Sequence, residues 1–418
     1  MITRTYTFRF NTPAFLGNAE QNGQWRTPPF KAQLRQWWRV AYAAAHKFNV
    51  NVAAMREREG FLFGNAWLSH QENGRTVNDH CKSQVRVRLD RWDLGQETKR
   101  SWGQQELDKS KEGVVHPSVG TIGPKLYLGY GPLVVEKVRS GSKTRYATVL
   151  KQNAAIQADE AAGFSLAFPE DNSLIEHALW LMHRYGTVGG RSRNGWGSYE
   201  LAPQGETPEL QGTVPLRPWR ECLELDWPHA IGQDQRGALI WQTTEHDDWQ
   251  SLMRTLAIIK IGLRTQFKFH LNPAAGDRQI LRNGQPQGIE HGQAQKRHWL
   301  SYPVTNHPVQ SWESEYVNGE RRKLNLRLPN SLRFKVRQTA SGKLVGVIFH
   351  MPCLPPAAFN ATPHRAAIEQ TWKKVHDLLD ELVKAPASRT YTMIDDQTRL
   401  AALAPQLNTV APLKRIPE

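Results

Sequence analysis

Hydrophobic and polar positions alternate along residues 3–10, with Tyr6, Phe8 and Phe10 on one side. A two-residue period predicts a half-buried strand. The alternation returns at 83–90, where Val85, Val87 and Leu89 share a face, and strands are also expected at 163–168 and 198–201. Between these runs the period becomes helical. Residues 29–47 put Leu34, Trp38, Ala41 and Ala45 on one stripe flanked by Trp37, and Thr27 and Pro28 precede them as N-cap and first helical residue. A second helix is expected over 174–185. The order strand, helix, strand, strand, helix, strand is the split βαβ, or ferredoxin-like, pattern.

The stretch 202–218, with its prolines and glycines, reads as a linker. Beyond it the order recurs. It comprises a strand at 221–227, an apolar helix at 249–263, a hairpin of 331–337 and 343–350 around Ser341-Gly342, an amphipathic helix at 366–384 and a last strand at 389–394. The expected fold class is α+β: two tandem ferredoxin-like (RRM-like, βαββαβ) domains with loop insertions, an internal duplication of structure. The domains span 1–205 and 219–395, and a tail covers 396–418, reading as poorly ordered from 404 onward. A long basic insertion, about 91–157, and a polar one, 272–297, interrupt the pattern. Insertions of such length are functional or disordered.

Charge narrows the function. The 418 residues carry 54 Lys and Arg against 39 Asp and Glu, a net +15. That balance favours an acidic partner, nucleic acid first. The charge is dispersed among apolar segments, so the chain is folded and not a basic tail. No apolar run spans a bilayer, and the N-terminus reads as a strand and not a signal peptide, so no membrane association is expected. Cys81, Cys222 and Cys353 are far apart with no CxxC pair, which points to a reducing, cytoplasmic setting with neither disulfides nor zinc. No cofactor is expected.

The segment 186–198 carries five glycines and, at Arg191 and Arg193, two arginines. Gly189, Gly190, Gly195 and Gly197 would let another backbone come close, and the guanidinium groups are planar donors suited to phosphate. The alternative is a glycine-rich turn with solvated arginines. The GxGxxG and GxxxxGK[ST] nucleotide fingerprints are absent. On the first helix Lys31, Arg35 and Arg39 recur every four residues as a basic stripe, and Arg26 sits just before the helix start, where backbone amides favour anions. A solvated cationic face is the plain reading of that stripe. Arg86 and Arg88 lie on the face of their strand opposite the valines. Trp25, Trp67, Trp92 and Trp102 fall in or near loops and could stack on bases, although no RNP1 pattern is found.

Catalytic signals are thin. The dipeptides His246-Asp247 and His376-Asp377 have no partner set and read as surface residues. His46 is the one candidate general base for RNA cleavage, and Glu20 and Asp79 are loop carboxylates that could approach RNA.

At this point the residues resemble a family. The run from Thr12 to Gly17, then Arg26-Thr27-Pro28-Pro29-Phe30-Lys31 with Leu34, Arg35, Trp37, Trp38 and Arg39, is similar to the opening of the first-subunit family of the Cmr module, in the RAMP superfamily of CRISPR effector proteins. Phe61-Leu62-Phe63-Gly64 and Ser83-Gln84-Val85-Arg86-Val87 continue the likeness, and the glycine-rich segment resembles the superfamily's G-rich loop. In the second half Leu300-Ser301-Tyr302-Pro303-Val304 and Arg327 to Phe334 resemble the family's C-terminal signatures. The resemblance implies two ferredoxin-like domains in a type III-B ribonucleoprotein. It implies a non-catalytic place at the head of the complex, beside another RAMP subunit. There the chain would help hold guide RNA, near its 3′ end, and target RNA. The second half has Gly262-Leu263-Arg264-Thr265-Gln266-Phe267 where a fuller glycine loop would stand. Two rival readings stay open. One is a RAMP-type endoribonuclease that processes guide precursors. The other is a scaffold whose basic surface docks acidic proteins.

Overall fold

The computed structural model describes residues 1–66, 69–78, 80–104, 113–140, 143–170, 172–317 and 320–417. Its first half contains β1 (Ile2–Phe10), α1 (Thr27–Ala45), α2 (Val52–Phe63), β2 (Arg86–Leu89), α3 (Pro124–Gly129), β3 (Ala161–Phe168), α4 (Ser173–Tyr185) and β4 (Tyr199–Pro203). The four strands form one antiparallel sheet in the order β4-β1-β3-β2. Alternation dictates which face is buried. Tyr6, Phe8 and Phe10 of β1 join Phe164 and Leu166 of β3 beneath Leu34 and Trp38 of α1 and Leu179 and Met182 of α4. Phe8 lies 4.5 Å from the Phe30 ring and 4.2 Å from the Tyr199 ring, centroid to centroid. Arg26, extended, stands at the cap of α1, and the proline falls in the first turn, so the helix begins before the apolar stripe does. The pattern contained no α2, and its N-cap is Asn51, whose side chain accepts from the Ala54 amide at 3.1 Å.

The second half contains β5 (Ile240–Gln242), α5 (Trp249–Thr265), β6 (Leu332–Gln338), β7 (Leu344–His350), α6 (Arg365–Glu381), α7 (Gln397–Leu407) and β8 (Lys414–Arg415). Its sheet runs β6-β7-β5-β8, each neighbour antiparallel.

Three expectations are corrected here. Residues 221–227 form a 3₁₀ turn, Glu221–Glu224, that buries Cys222 and Leu223. The opening strand is instead β5, whose three residues are too few to announce a period. Residues 389–394 are not a strand, and Arg389 donates to the carbonyls of Lys384, Leu382 and Leu407. The closing strand is β8, inside the supposed tail. That tail is ordered because Asp396 caps α7 and Leu403, Leu407, Val410 and Leu413 are buried.

The basic insertion contributes to the core. Strands Leu133–Ser140 and Lys143–Leu150 pair as a hairpin, and α3 packs on α5. Trp102, Leu126, Leu128 and Leu133 share a core with Trp249, Leu252 and Leu256. The two halves meet along β6, where the Phe334 amide donates to the Arg193 carbonyl at 3.1 Å and the Val336 amide to Ser198 Oγ at 2.8 Å.

Candidate nucleic-acid interface

The glycine-rich segment links α4 to β4, and its glycines serve two different ends. Gly197, at φ +61°, would place a Cβ 1.9 Å from the Val188 carbonyl oxygen, so no other residue fits. Its amide donates to the Pro13 carbonyl at 2.9 Å. Gly195 is buried as well, against Met253 and Leu256 of α5. These two expected contact residues therefore pack against the protein's own chain and not against a ligand. Gly189 and Gly190 remain accessible. Gly190 donates to the Phe15 carbonyl at 2.9 Å and forms part of an open cleft.

That cleft, of about 580 Å³, is lined by Phe15, Gly17, Gly23, Arg26, Gly131, Lys151 and Gly190 among others. Arg26 donates to the Gly17 carbonyl, while its Nε is buried without a partner. Arg191 is exposed at φ +56°, and its guanidinium stands over Gly131. The protein packed around this surface arginine partly desolvates it, and that effect, then the charges of Arg264 and Arg327, holds its pKa below the ordinary arginine value. Tyr130, next in chain to Gly131, is 64% exposed. Arg26, Gly190 and Arg191 thus converge with Lys151 and Gly131 of the basic insertion, neither of which was an expected contact. The run Gly129-Tyr130-Gly131-Pro132 was a visible signal of a special turn; Lys151 gave none.

Arg193 turns the other way. Its Nη1 donates to the Asn330 carbonyl at 3.3 Å, and burial lowers its pKa, so it ties the loop to the second half and does not face the cleft. The stripe on α1 is also engaged. Arg35 and Arg39 both bind the carboxylate of Glu59 on α2, which is 4% exposed; Arg39 reaches it at 2.7 and 2.8 Å. Lys31 donates to Ser83 Oγ at 2.8 Å, and burial, with Arg35 nearby, lowers its pKa. The two arginines stay partly open, at 34% and 42% side-chain exposure, but they share one negative charge.

Arg86 and Arg88 are exposed on the outer sheet face, opposite Ala167 and Ser165 of β3. Those residues pair with Thr3 and Thr5, at the start of β1, whereas the glycine-rich loop lies beyond its end. Five strand residues put roughly 17 Å between the two places. Trp25 and Trp102 are buried at 0% and 2% and cannot stack on a base. Trp92 is 56% exposed. Trp67 and Asp79 lie outside the described residues. His376, expected at the surface, is buried and lies 2.9 Å from His350, Nε2 to Nδ1. His46 follows the C-terminal end of α1, with Nδ1 2.8 Å from the Tyr42 carbonyl. Glu20 lies in the turn near Gly17, which Arg26 ties to the opposite end of that helix. Nineteen helical residues span about 28 Å, so the two nuclease candidates are not brought together. No described helix is long and apolar enough to cross a membrane. No group of His, Cys, Asp or Glu among the described residues could hold a metal ion.

Comparison with known proteins gives structural neighbours alone. No family model and no curated protein sequence matches the chain. It is similar to the crystal structure of apo Cmr1 from Pyrococcus furiosus, with 14% identity and a TM-score of 0.38, covering 84% of this chain and 88% of that one. It is also similar to a chain of the type III-B Cmr-β complex bound to cognate target RNA, with 10% identity and a TM-score of 0.40, covering 89% and 99% of the two chains. A second structure of that complex, with target RNA, AMPPnP and single-stranded DNA, matches at 9% identity and a TM-score of 0.38, covering 89% and 99%.

Proposed function

We propose that this chain is a non-catalytic RNA-binding subunit of a type III CRISPR effector. In this role it holds guide or target RNA by the phosphate backbone, beside other RAMP subunits. The observation that carries the RNA-binding part is the cleft over the glycine-rich loop. Arg26 and Lys151 line it together with Gly17, Gly23, Gly131 and Gly190, and Arg191 borders it. Its cations suit phosphates, and backbone recognition is what is expected where pairing does the reading. The ordered motifs described above support the assignment to a RAMP subunit. The sheets support a tandem ferredoxin-like architecture, because each places its first and third strands centrally, with the fourth beside the first and the second beside the third. Arg35 and Arg39 are secondary contacts in this reading, and Arg86 and Arg88 belong to a separate patch.

The test is binding of the purified chain to labelled single-stranded RNA over a salt series, with cleavage read on the same gel with and without a divalent metal. Salt-sensitive binding without cutting is the expected result. Cutting would favour the endoribonuclease, and binding that ignores salt would count against phosphate recognition.

A further inference from the structure

A second group of cations lies just past the cleft, at the seam between the halves. Arg264 projects from the last turn of α5, Arg297 from the 3₁₀ turn Lys296–Trp299, and Arg327 from the segment leading to β6. Beneath them Lys260 is fully buried, donating to Asn194 Oδ1 of the glycine-rich loop at 2.6 Å and lying 5.0 Å from the centre of the Phe334 ring. The Nε atoms of Arg264 and Arg297 and the hydroxyl of Tyr127 on α3 are buried without hydrogen-bond partners.

The cations act on one another with one sign, although Arg297 also lies 5.5 Å from the centre of the Phe269 ring. Arg264 and Arg327 act on Arg191; Arg264, Arg191 and Arg193 act on Lys260; Arg264 and Arg399 act on Arg297. Among the described residues no carboxylate acts on Arg191, Lys260 or Arg297. The nearby acid that does act, on Arg399, is Asp396, which is already paired with Lys268 at 3.3 Å. The end of α5 attracts a cation through its dipole, yet it leaves the Arg264 Nε unpaired. Elsewhere the chain neutralises such arginines, as Glu59 does for Arg35 and Arg39. Buried polar groups and gathered like charges cost stability unless something answers them.

We propose that Arg264, Arg297 and Arg327, with Arg191 as the link to the cleft, form a second phosphate site that receives the continuing RNA strand, with the exposed ring of Tyr130 stacking on a base between the two. The strand identity rests on the reading under Proposed function; the anion site rests on the cluster alone.

The variants are R264M/R297M, which keeps the apolar stems, and the exposed R327M, which is free of folding risk. Inorganic pyrophosphate at millimolar concentration should raise the melting temperature of the wild type and do so less for both variants. In anion-free buffer R264M/R297M should melt no lower than the wild type, because repulsion has been removed. No stabilisation of the wild type, or equal stabilisation of all three proteins, would overturn the site, as would a large drop in the anion-free melting temperature of R264M/R297M. With labelled single-stranded RNA, R264M/R297M should reduce the log–log salt slope by about 1.4, at roughly 0.7 per phosphate contact. Y130A should weaken binding roughly tenfold at unchanged slope. If pyrophosphate acts as stated but the wild type binds no RNA, the anion site stands and the RNA reading fails. RNA binding with an unchanged slope in R264M/R297M would leave that reading in place and remove the second site.

Discussion

Lys335 reaches from β6 in the second half of the chain to the end of α4 in the first, where its Nζ lies 2.9 Å from the carbonyl oxygen of Gly186. The same nitrogen donates to the carbonyls of His183 and Tyr199, each at 2.7 Å. Burial pulls its pKa well below the ordinary lysine range. The carbonyl acceptors, at the negative end of a helix dipole, offset that loss. The segment that Lys335 braces, from Gly186 to Tyr199, is the glycine-rich loop itself, so the shape of the cleft depends on contact between the halves.

Replacing Lys335 by Met keeps the apolar stem and removes the donor. Buried carbonyls are left unanswered, and hydrogen bonds to charged groups contribute about 1.5–3 kcal/mol. We expect K335M to lose about 2 kcal/mol in denaturant unfolding. A variant as stable as the wild type, or more stable, would mean that the buried charge is a liability and not a brace.

The stripe on α1 predicts a rescue. R35M/R39M leaves the Glu59 carboxylate buried and unpaired, a situation that costs about 3–5 kcal/mol. Adding E59L removes the orphan charge and should restore most of the loss. Failure of the triple variant to recover, with the double strongly destabilised, would assign the arginines another structural partner.

Acid should destabilise the fold well before its carboxylates titrate. Burial lowers His183 and His298 to about 4 and about 3, and His376 also to about 3. His183 Nδ1 accepts from the Leu201 amide at 3.2 Å and His298 Nδ1 from the Gln295 amide at 2.9 Å, bonds that protonation would break. The unfolded chain takes up protons near pH 6.5 while the folded one refuses them. Stability is therefore full above about pH 6.5 and falls as the pH drops toward 4, at up to roughly 1.4 kcal/mol per unit for each histidine. Unfolding free energies at pH 7.5 and 5.0 test this, and equal values would contradict it.

What the sequence made legible followed from periodicity. β1, α1, β3, α4, α5 and the β6–β7 hairpin are long enough to repeat a pattern and lie close to where it placed them. β5 and β8 are three and two residues long and owe their place to pairing with β7 and with each other, which no local signal carries. The glycine-rich loop was legible as a special backbone, but the division of labour within it was not. Only the tertiary structure puts Gly197 under Val188 and turns Arg193 toward Asn330 while leaving Arg191 outside. Glu59 reads as one more polar residue of a helix until α2 docks on α1, and then it changes the meaning of Arg35 and Arg39. Lys151 and Gly131 come to the cleft from an insertion with no regular period.

The central claim is that the cleft holds RNA by its phosphates, and the salt dependence of the triple variant R26M/K151M/R191M tests it most directly. Measured against the wild type on one labelled single strand, the log–log slope should fall by about 2, at roughly 0.7 per contact, with no change in the ranking of RNA sequences. A slope equal to that of the wild type, in a variant that folds normally, would contradict the account.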